Sequence, residues 1–272
     1  MNNIPKILHL YWDLSPMSYL QTLTPISFHK FNPDWEIRLY IPAVRDMGNS
    51  CYVPDYTGKD YFDTLLDLNY IKVITVDPEK DYNIPERVTG ILKSDAMRLY
   101  WLYNDGGVWS DFDVLWIKPF DSLNIDEKVG NMICRYPLKQ KHYNVGVLYS
   151  IPRHALIKEV IDEIRCLINS GISLQHQEFG VDIWNRKYSR TEDITDRFND
   201  VKIHTYNTFY PFSIFQLNSL FVANFIDIRV CLKDSVAVHW FAGHRISKQY
   251  MNNPNSWRIN CTINYIIKSL KV

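Results

Sequence analysis

Short apolar runs alternate with longer amphipathic stretches along this chain. Ile4-Pro5-Lys6-Ile7-Leu8-His9-Leu10-Tyr11-Trp12 reads as a buried first strand that enters a loop at Asp13-Leu14-Ser15-Pro16. Ser15 ahead of Pro16 is an N-cap and N1 pair, so a helix is expected next, with Pro25 breaking or kinking it. Asn32-Pro33-Asp34 is a turn, and residues 35–41 alternate like a second strand. A helix is predicted over 61–68 and a strand over 71–76, stopped by Asp77-Pro78. A helix capped by Ser94 then runs to Gly106-Gly107, and a strand follows to Asp111. Beyond it, 114–117 is a β run, and 129–135 and 144–149 are two more strands in antiparallel relation. Leu156, Val160, Ile164 and Leu167 give 156–168 the clearest amphipathic helix. A further helix is expected over 178–188, short strands over 201–204 and 236–241, and a C-terminal helix over 257–270 capped by Asn255 or Ser256. Strands alternating with helices predict an α/β domain with a mostly parallel sheet, and no repeat or flexible linker divides it.

Composition narrows the partners. Lysine plus arginine equals aspartate plus glutamate at 30 each, so neither nucleic acid nor an anionic surface is the expected main partner. No window approaches the ~20 apolar residues of a membrane span. The N-terminal apolar run ends at Asp13, too early for a signal peptide. Cys51, Cys134, Cys166, Cys231 and Cys261 are scattered and lack a CxxC pair, which suits reduced thiols in a cytoplasmic protein. Peripheral membrane association is left open.

The candidate chemistry lies between residues 93 and 114. About ten helical residues carry the chain roughly 15 Å from Ser94. The extended run from Gly107 covers about 13 Å back. A reversal at the double glycine therefore brings Asp111 and Asp113 beside Ser94, Asp95 and Arg98. Two aspartates flanking Phe112 at a strand end can both reach a hard cation, and oxygen ligands suit Mg2+ or Mn2+.

Ser94-Asp95-x-x-Arg98-x-x-x-Leu102, followed by Gly106-Gly107-Val108-Trp109-x-Asp111-x-Asp113-Val114, resembles the DXD region of glycosyltransferase family 32. That family holds yeast Golgi initiating mannosyltransferases and capsular polysaccharide enzymes and, distantly, clostridial glucosylating toxins. The segments at 4–9 with Trp12, at 32–35, and at Val238-His239-Trp240 with Gly243 are similar to it too. The resemblance implies a GT-A fold, with a Rossmann-like, mostly parallel sheet and flanking helices in a single domain over 1–272. Residues 1–118 would mainly bind the nucleotide sugar, and 119–272 would mainly bind the acceptor and carry the C-terminal helix. It implies a UDP- or GDP-hexose donor, a glycan, glycolipid or glycoprotein acceptor, a retaining reaction, and Mn2+ or Mg2+ held by Asp111, Asp113 and His239. Trp12 would stack on the base. Ser94, Asp95 and Arg98 would lie along the donor, His244 and Arg245 would meet a phosphate, and Asn144 and Asp182 would act near the reacting carbon and the acceptor. Relatives often carry a Ser-Trp pair after the C-terminal histidine, where this chain has Gly243-His244-Arg245-Ile246-Ser247.

Two other functions fit the same residues. Residues 108–114 also match the DxDxV strand of haloacid-dehalogenase phosphatases, with Asp111 as nucleophile and Asp113 as acid, although here several strands precede it. A catalytically silent sugar-binding relative would keep the fold without the reaction.

Overall fold

The computed structural model describes residues 3–44, 56–135, 143–175, 177–222 and 227–271. The parallel half of the sheet is built from β1 (Ile7–Tyr11), β2 (Glu36–Pro42), β3 (Ile71–Val76) and β4 (Gly107–Ser110). Then come the short β5 (Val114–Trp116), β6 (Asn131–Arg135), β7 (Tyr143–Ser150), β8 (Val201–Thr205) and the short β9 (Ala237–His239). Seven strands form one sheet in the order β3-β2-β1-β4-β7-β6-β8. β7 runs antiparallel to both β4 and β6, and the other pairings in that sheet are parallel. The chain winds outward from β1 to β3 and then returns to place β4 on β1's other side. In open α/β sheets such a switch point leaves a crevice at the strands' C-terminal ends. Asp111 directly follows β4 there.

Alternation along the strands divides the core. Leu8, Leu10, Ile37, Leu39 and Val108 pack on one face with Phe28, Trp35 and Trp116. Tyr11, Tyr40 and Trp109 join Trp101, Leu99 and Leu156 on the other. The covering helices are α1 (Tyr19–Phe31), α2 (Phe62–Leu66), α3 (Pro78–Tyr82), α4 (Gly90–Asp105), α5 (Ala155–Asn169), α6 (Val181–Lys187), α7 (Glu192–Thr195), α8 (Leu217–Phe221), α9 (Ile228–Cys231), α10 (Arg245–Asn252) and α11 (Thr262–Leu270). No helix among the described residues is long and apolar enough to cross a membrane. Cys134, Cys166, Cys231 and Cys261 are free thiols, and Cys51 lies outside the described residues.

Several boundaries differ from the sequence expectation. The first helix is capped by Ser18, not Ser15, because Ser18 and Gln21 close a reciprocal capping box. It runs through Pro25. Helix α4 begins at Gly90 with Thr89 as N-cap, so Ser94 is internal. Leu92 is 1% exposed, so the apolar face extends one turn further back. Asp77 caps α3 with its side chain accepting from Glu79 and Lys80, where sequence gave only a strand stop. The C-terminal helix starts at Thr262, behind a separate 3-10 turn over Ser256–Arg258.

The double glycine is needed as read. Gly106 and Gly107 have φ of +68° and +94°, and a Cβ on Gly107 would lie 2.5 Å from the Ile7 carbonyl oxygen. Beneath that contact lies His9, fully buried, with Nε2 2.8 Å from the Gly106 carbonyl and Nδ1 3.1 Å from the Tyr40 hydroxyl. A carbonyl only accepts, so Nε2 carries the proton and Nδ1 accepts from Tyr40. The neutral ring satisfies both partners, and burial lowers its pKa from 6.5 to about 4.

A histidine lowered in this way stabilises the fold fully above its unfolded pKa, and the stability drains away as pH falls from 6.5 through about 4. The loss attributable to His9 is on the order of 3 kcal/mol. Denaturant unfolding between pH 7 and 4 should show it, with a shallower slope in His9→Gln; equal slopes would remove His9 from the account.

Candidate active site

The site begins with the register of β5 on β9. Val114 pairs with His239 and Leu115 with Val238, antiparallel. The Trp240 N–H donates to the Asp113 carbonyl at 2.8 Å, and the Ala242 N–H donates to Asp113 Oδ2 at 2.8 Å. This pairing sets His239 against the carboxylate pair. Ligand atoms of Asp111, Asp113 and His239 all lie within 4.8 Å of one another.

The contact between His239 and Asp113 has a telling geometry. Nε2 lies 3.0 Å from the buried Asp113 Oδ1, an ion pair when the imidazole is protonated. With Nε2 unprotonated, the same two atoms and Asp111 form a donor set that fits a divalent cation such as Mn2+ or Mg2+. Burial pulls the His239 pKa down, but the Asp113 and Asp111 carboxylates outweigh it and the net shift is upward. Burial likewise pushes Asp113 up, and His239 with the Ala242 N–H outweighs it, so Asp113 stays below its ordinary value. For Asp111, burial prevails over the favourable Arg98 charge and its pKa is raised.

Arg98 fixes Asp111 from behind. Its guanidinium lies 3.3 Å from Asp111 Oδ1 and 2.7 Å from Asp95 Oδ1, and it donates to the Val145 carbonyl at 2.7 Å. It also sits 4.7 Å over the Trp109 ring, whose Nε1 donates to Asp111 Oδ1 at 2.9 Å. One buried cation thus ties α4 to β4 and β7. The reversal foreseen at the double glycine does gather Asp95, Arg98 and Asp111. Burial raises Asp95 to about 6, against the pull of Arg98. A Cβ on Gly180 would come within 2.8 Å of Asp95 Oδ2, so the turn before α6 closes tightly over that carboxylate.

A cleft of about 380 Å3 opens beside the triad, lined by Asp111, Asn144, Gly146, Tyr210, His239 and Phe241 among others. Asn144 lines it, with its Nδ2 buried and unpaired among the described residues. Ser94, Asp95 and Arg98 are buried and do not line it; they stand behind its wall. Asp182 is exposed on α6 beside the lining residue Val181. His244 is the N-cap of α10, its Nδ1 accepting from the Ile246 N–H, and Arg245 is exposed next to it. Neither lines the cleft.

Trp12 is placed otherwise than expected. It is fully buried, donates from Nε1 to the Ser15 carbonyl at 2.7 Å and packs edge-on to Phe112. That ring is engaged in the core and offers no open face to a base. Tyr210 and Gly146 carry more of the cleft than sequence patterning indicated. Their signal was faint: a glycine in the middle of a strand, and an aromatic pair before Pro211.

The similarities to known proteins agree with this geometry. Residues 25–130 match the family described as "Glycosyltransferase sugar-binding region containing DXD motif". No curated protein matches the chain. Among solved structures, the PaToxG glycosyltransferase is similar at 15% identity over 72% of this chain and 70% of that one, with a TM-score of 0.51. The galactosyltransferase LgtC is similar at 15% identity over 93% of this chain and 99% of that one, with a TM-score of 0.45. GlyE of Streptococcus pneumoniae is similar at 11% identity over 98% and 64%, with a TM-score of 0.49. Residues 25–130 are thus similar to the DXD-containing sugar-binding region of glycosyltransferases, and the chain shares the GT-A α/β fold.

Proposed function

We propose that the chain transfers a hexose from a UDP- or GDP-sugar to a hydroxyl of a glycan, glycolipid or glycoprotein, with retention, using Mn2+ or Mg2+ at Asp111, Asp113 and His239. The observation that carries this reading is the convergence of Asp111, Asp113 and His239, whose ligand atoms lie within 4.8 Å of one another beside the cleft. A divalent ion there would supply the charge that neutralises the departing diphosphate. In the transfer, the bond from the anomeric carbon to the diphosphate oxygen breaks, a bond to the acceptor oxygen forms, and the acceptor hydroxyl gives up its proton.

The chain's own residues divide the remaining work. Ala242 occupies Asp113 Oδ2 and so leaves Oδ1 for the ion. Arg98 and Trp109 hold Asp111 in place. Asn144 presents its amide to the cleft and would act near the reacting carbon, Asp182 would act toward the acceptor, and His244 and Arg245 would meet an emerging phosphate. Residues 1–118 supply the carboxylate pair and the sheet that aims it. Residues 119–272 supply the other cleft walls, in line with an acceptor-side role. In the rival phosphatase reading Asp111 attacks phosphorus, yet both Trp109 and Arg98 already engage its Oδ1 and blunt its nucleophilicity.

A panel of UDP- and GDP-sugars with Mn2+ tests the proposal. A matching donor near a hundredfold excess over its Kd should stabilise the fold by about 2.7 kcal/mol, a rise of about 5 °C or more in Tm. Sugar-nucleotide hydrolysis should fall at least roughly 100-fold in Asp113→Asn, the loss expected when charge neutralisation is removed. Hydrolysis that survives that change would sink the assignment. Release of phosphate from a phosphomonoester would favour the phosphatase, and glycan binding without donor hydrolysis the silent relative.

Gly146→Ala gives a steric test. Its Cβ would lie 3.0 Å from both His239 Nε2 and the Tyr210 hydroxyl, inside the cleft wall. Turnover should drop by roughly tenfold or more while the fold survives, since displacing a catalytic group by a few tenths of an ångström is costly. Unchanged turnover would show that the ligand does not approach Gly146.

A further inference from the structure

Tyr210 is a buried polar group that the donor reading leaves without a task. It is 1% exposed, and its hydroxyl has no hydrogen-bond partner among the described residues. Native proteins rarely leave such a hydroxyl unpaired: water, an ion or a ligand completes it. The ring is held firmly: it stacks on Tyr206 at 5.2 Å and tilts against His239 at 4.8 Å, and the Tyr210 N–H donates to the Tyr206 carbonyl at 2.8 Å. Across from it, a Cβ on Gly146 would sit 3.0 Å from the hydroxyl and 3.0 Å from His239 Nε2. The missing side chain at Gly146 therefore keeps a space open between the phenol and the metal triad. Asp111 and Asp113 are close enough to act on the phenol, but neither accepts its hydrogen.

We propose that Tyr210 is a substrate-binding residue whose hydroxyl donates a hydrogen bond to a diphosphate oxygen of the nucleotide sugar, on the Gly146 side of the triad. This rests on the donor reading above. A diphosphate oxygen is favoured over a sugar hydroxyl because the phenol lies against His239, and the ion held there engages the diphosphate. Negative charge grows on the diphosphate as its bond to the sugar breaks. A fixed neutral donor therefore binds the transition state better than the ground state and acts on kcat.

Tyr210→Phe separates this role from a structural one. The unliganded variant should keep its Tm or gain slightly, because the hydroxyl removed has no partner. Binding of Mn2+ alone should equal that of wild type. A nucleoside diphosphate with Mn2+ should bind roughly tenfold more weakly, and kcat should fall by at least as much, as expected for one bond to a charged oxygen. Wild-type affinity and turnover in Tyr210→Phe would overturn the inference, as would an unliganded Tm lowered by about 3 °C or more. A variant that binds the bare nucleoside diphosphate normally but the nucleotide sugar weakly would place the hydroxyl on the sugar, overturning the diphosphate assignment. Wild-type protein that binds no nucleoside diphosphate with Mn2+ would remove the donor reading itself, and this inference with it.

Discussion

The pairing of β5 with β9 is the contact on which the site depends. Each strand has three residues, yet their register decides whether the two aspartates stand alone in a turn or face an imidazole. Backbone N–H groups of Trp240 and Ala242 grip the carbonyl and one carboxylate oxygen of Asp113. The other oxygen faces His239 Nε2 at 3.0 Å. Ionisable groups buried this close together are costly unless they are paired, and the imidazole pairs this one.

Behind the ribbon, Arg98 does the complementary work. A buried guanidinium between Asp95, Asp111 and the Val145 carbonyl joins a helix to two strands. Its charge offsets part of the burial that raises both carboxylates, and their positions are set against it. Removing such a cation would strand two buried acids, which is worse than never having had the pair. In this fold Arg98 and Asp95 are part of the wall behind the site.

Much of this was legible from sequence because local rules applied. The double glycine announced a reversal that only positive φ allows, and the helix and strand lengths returned Asp111 to Arg98. Strand positions followed from apolar runs, and residues 71–76 matched at both ends. The family resemblance, and not spacing, supplied His239, since no local pattern links it to Asp113. What failed had competing local solutions: Ser15 and Ser18 both offered a cap, and the reciprocal bond with Gln21 decided for Ser18. An aromatic at a strand end such as Trp12 looks the same in sequence whether it faces a ligand or the core; Phe112 and the Ser15 carbonyl engage it here. Tyr210 escaped notice because its meaning lies in a partner it lacks, and sequence does not reveal unpaired groups.

The central claim is that Asp111, Asp113 and His239 hold a cation that in turn holds a nucleoside diphosphate. Mn2+ titration followed by electron paramagnetic resonance, with and without UDP or GDP, tests it most directly. If the cation bridges protein and diphosphate, each ligand must tighten the other by the same factor. Mn2+ affinity should therefore rise when the nucleotide is present, and the coupling should vanish in His239→Ala. Mn2+ and nucleotide that bind independently, or coupling that persists without His239, would contradict the account.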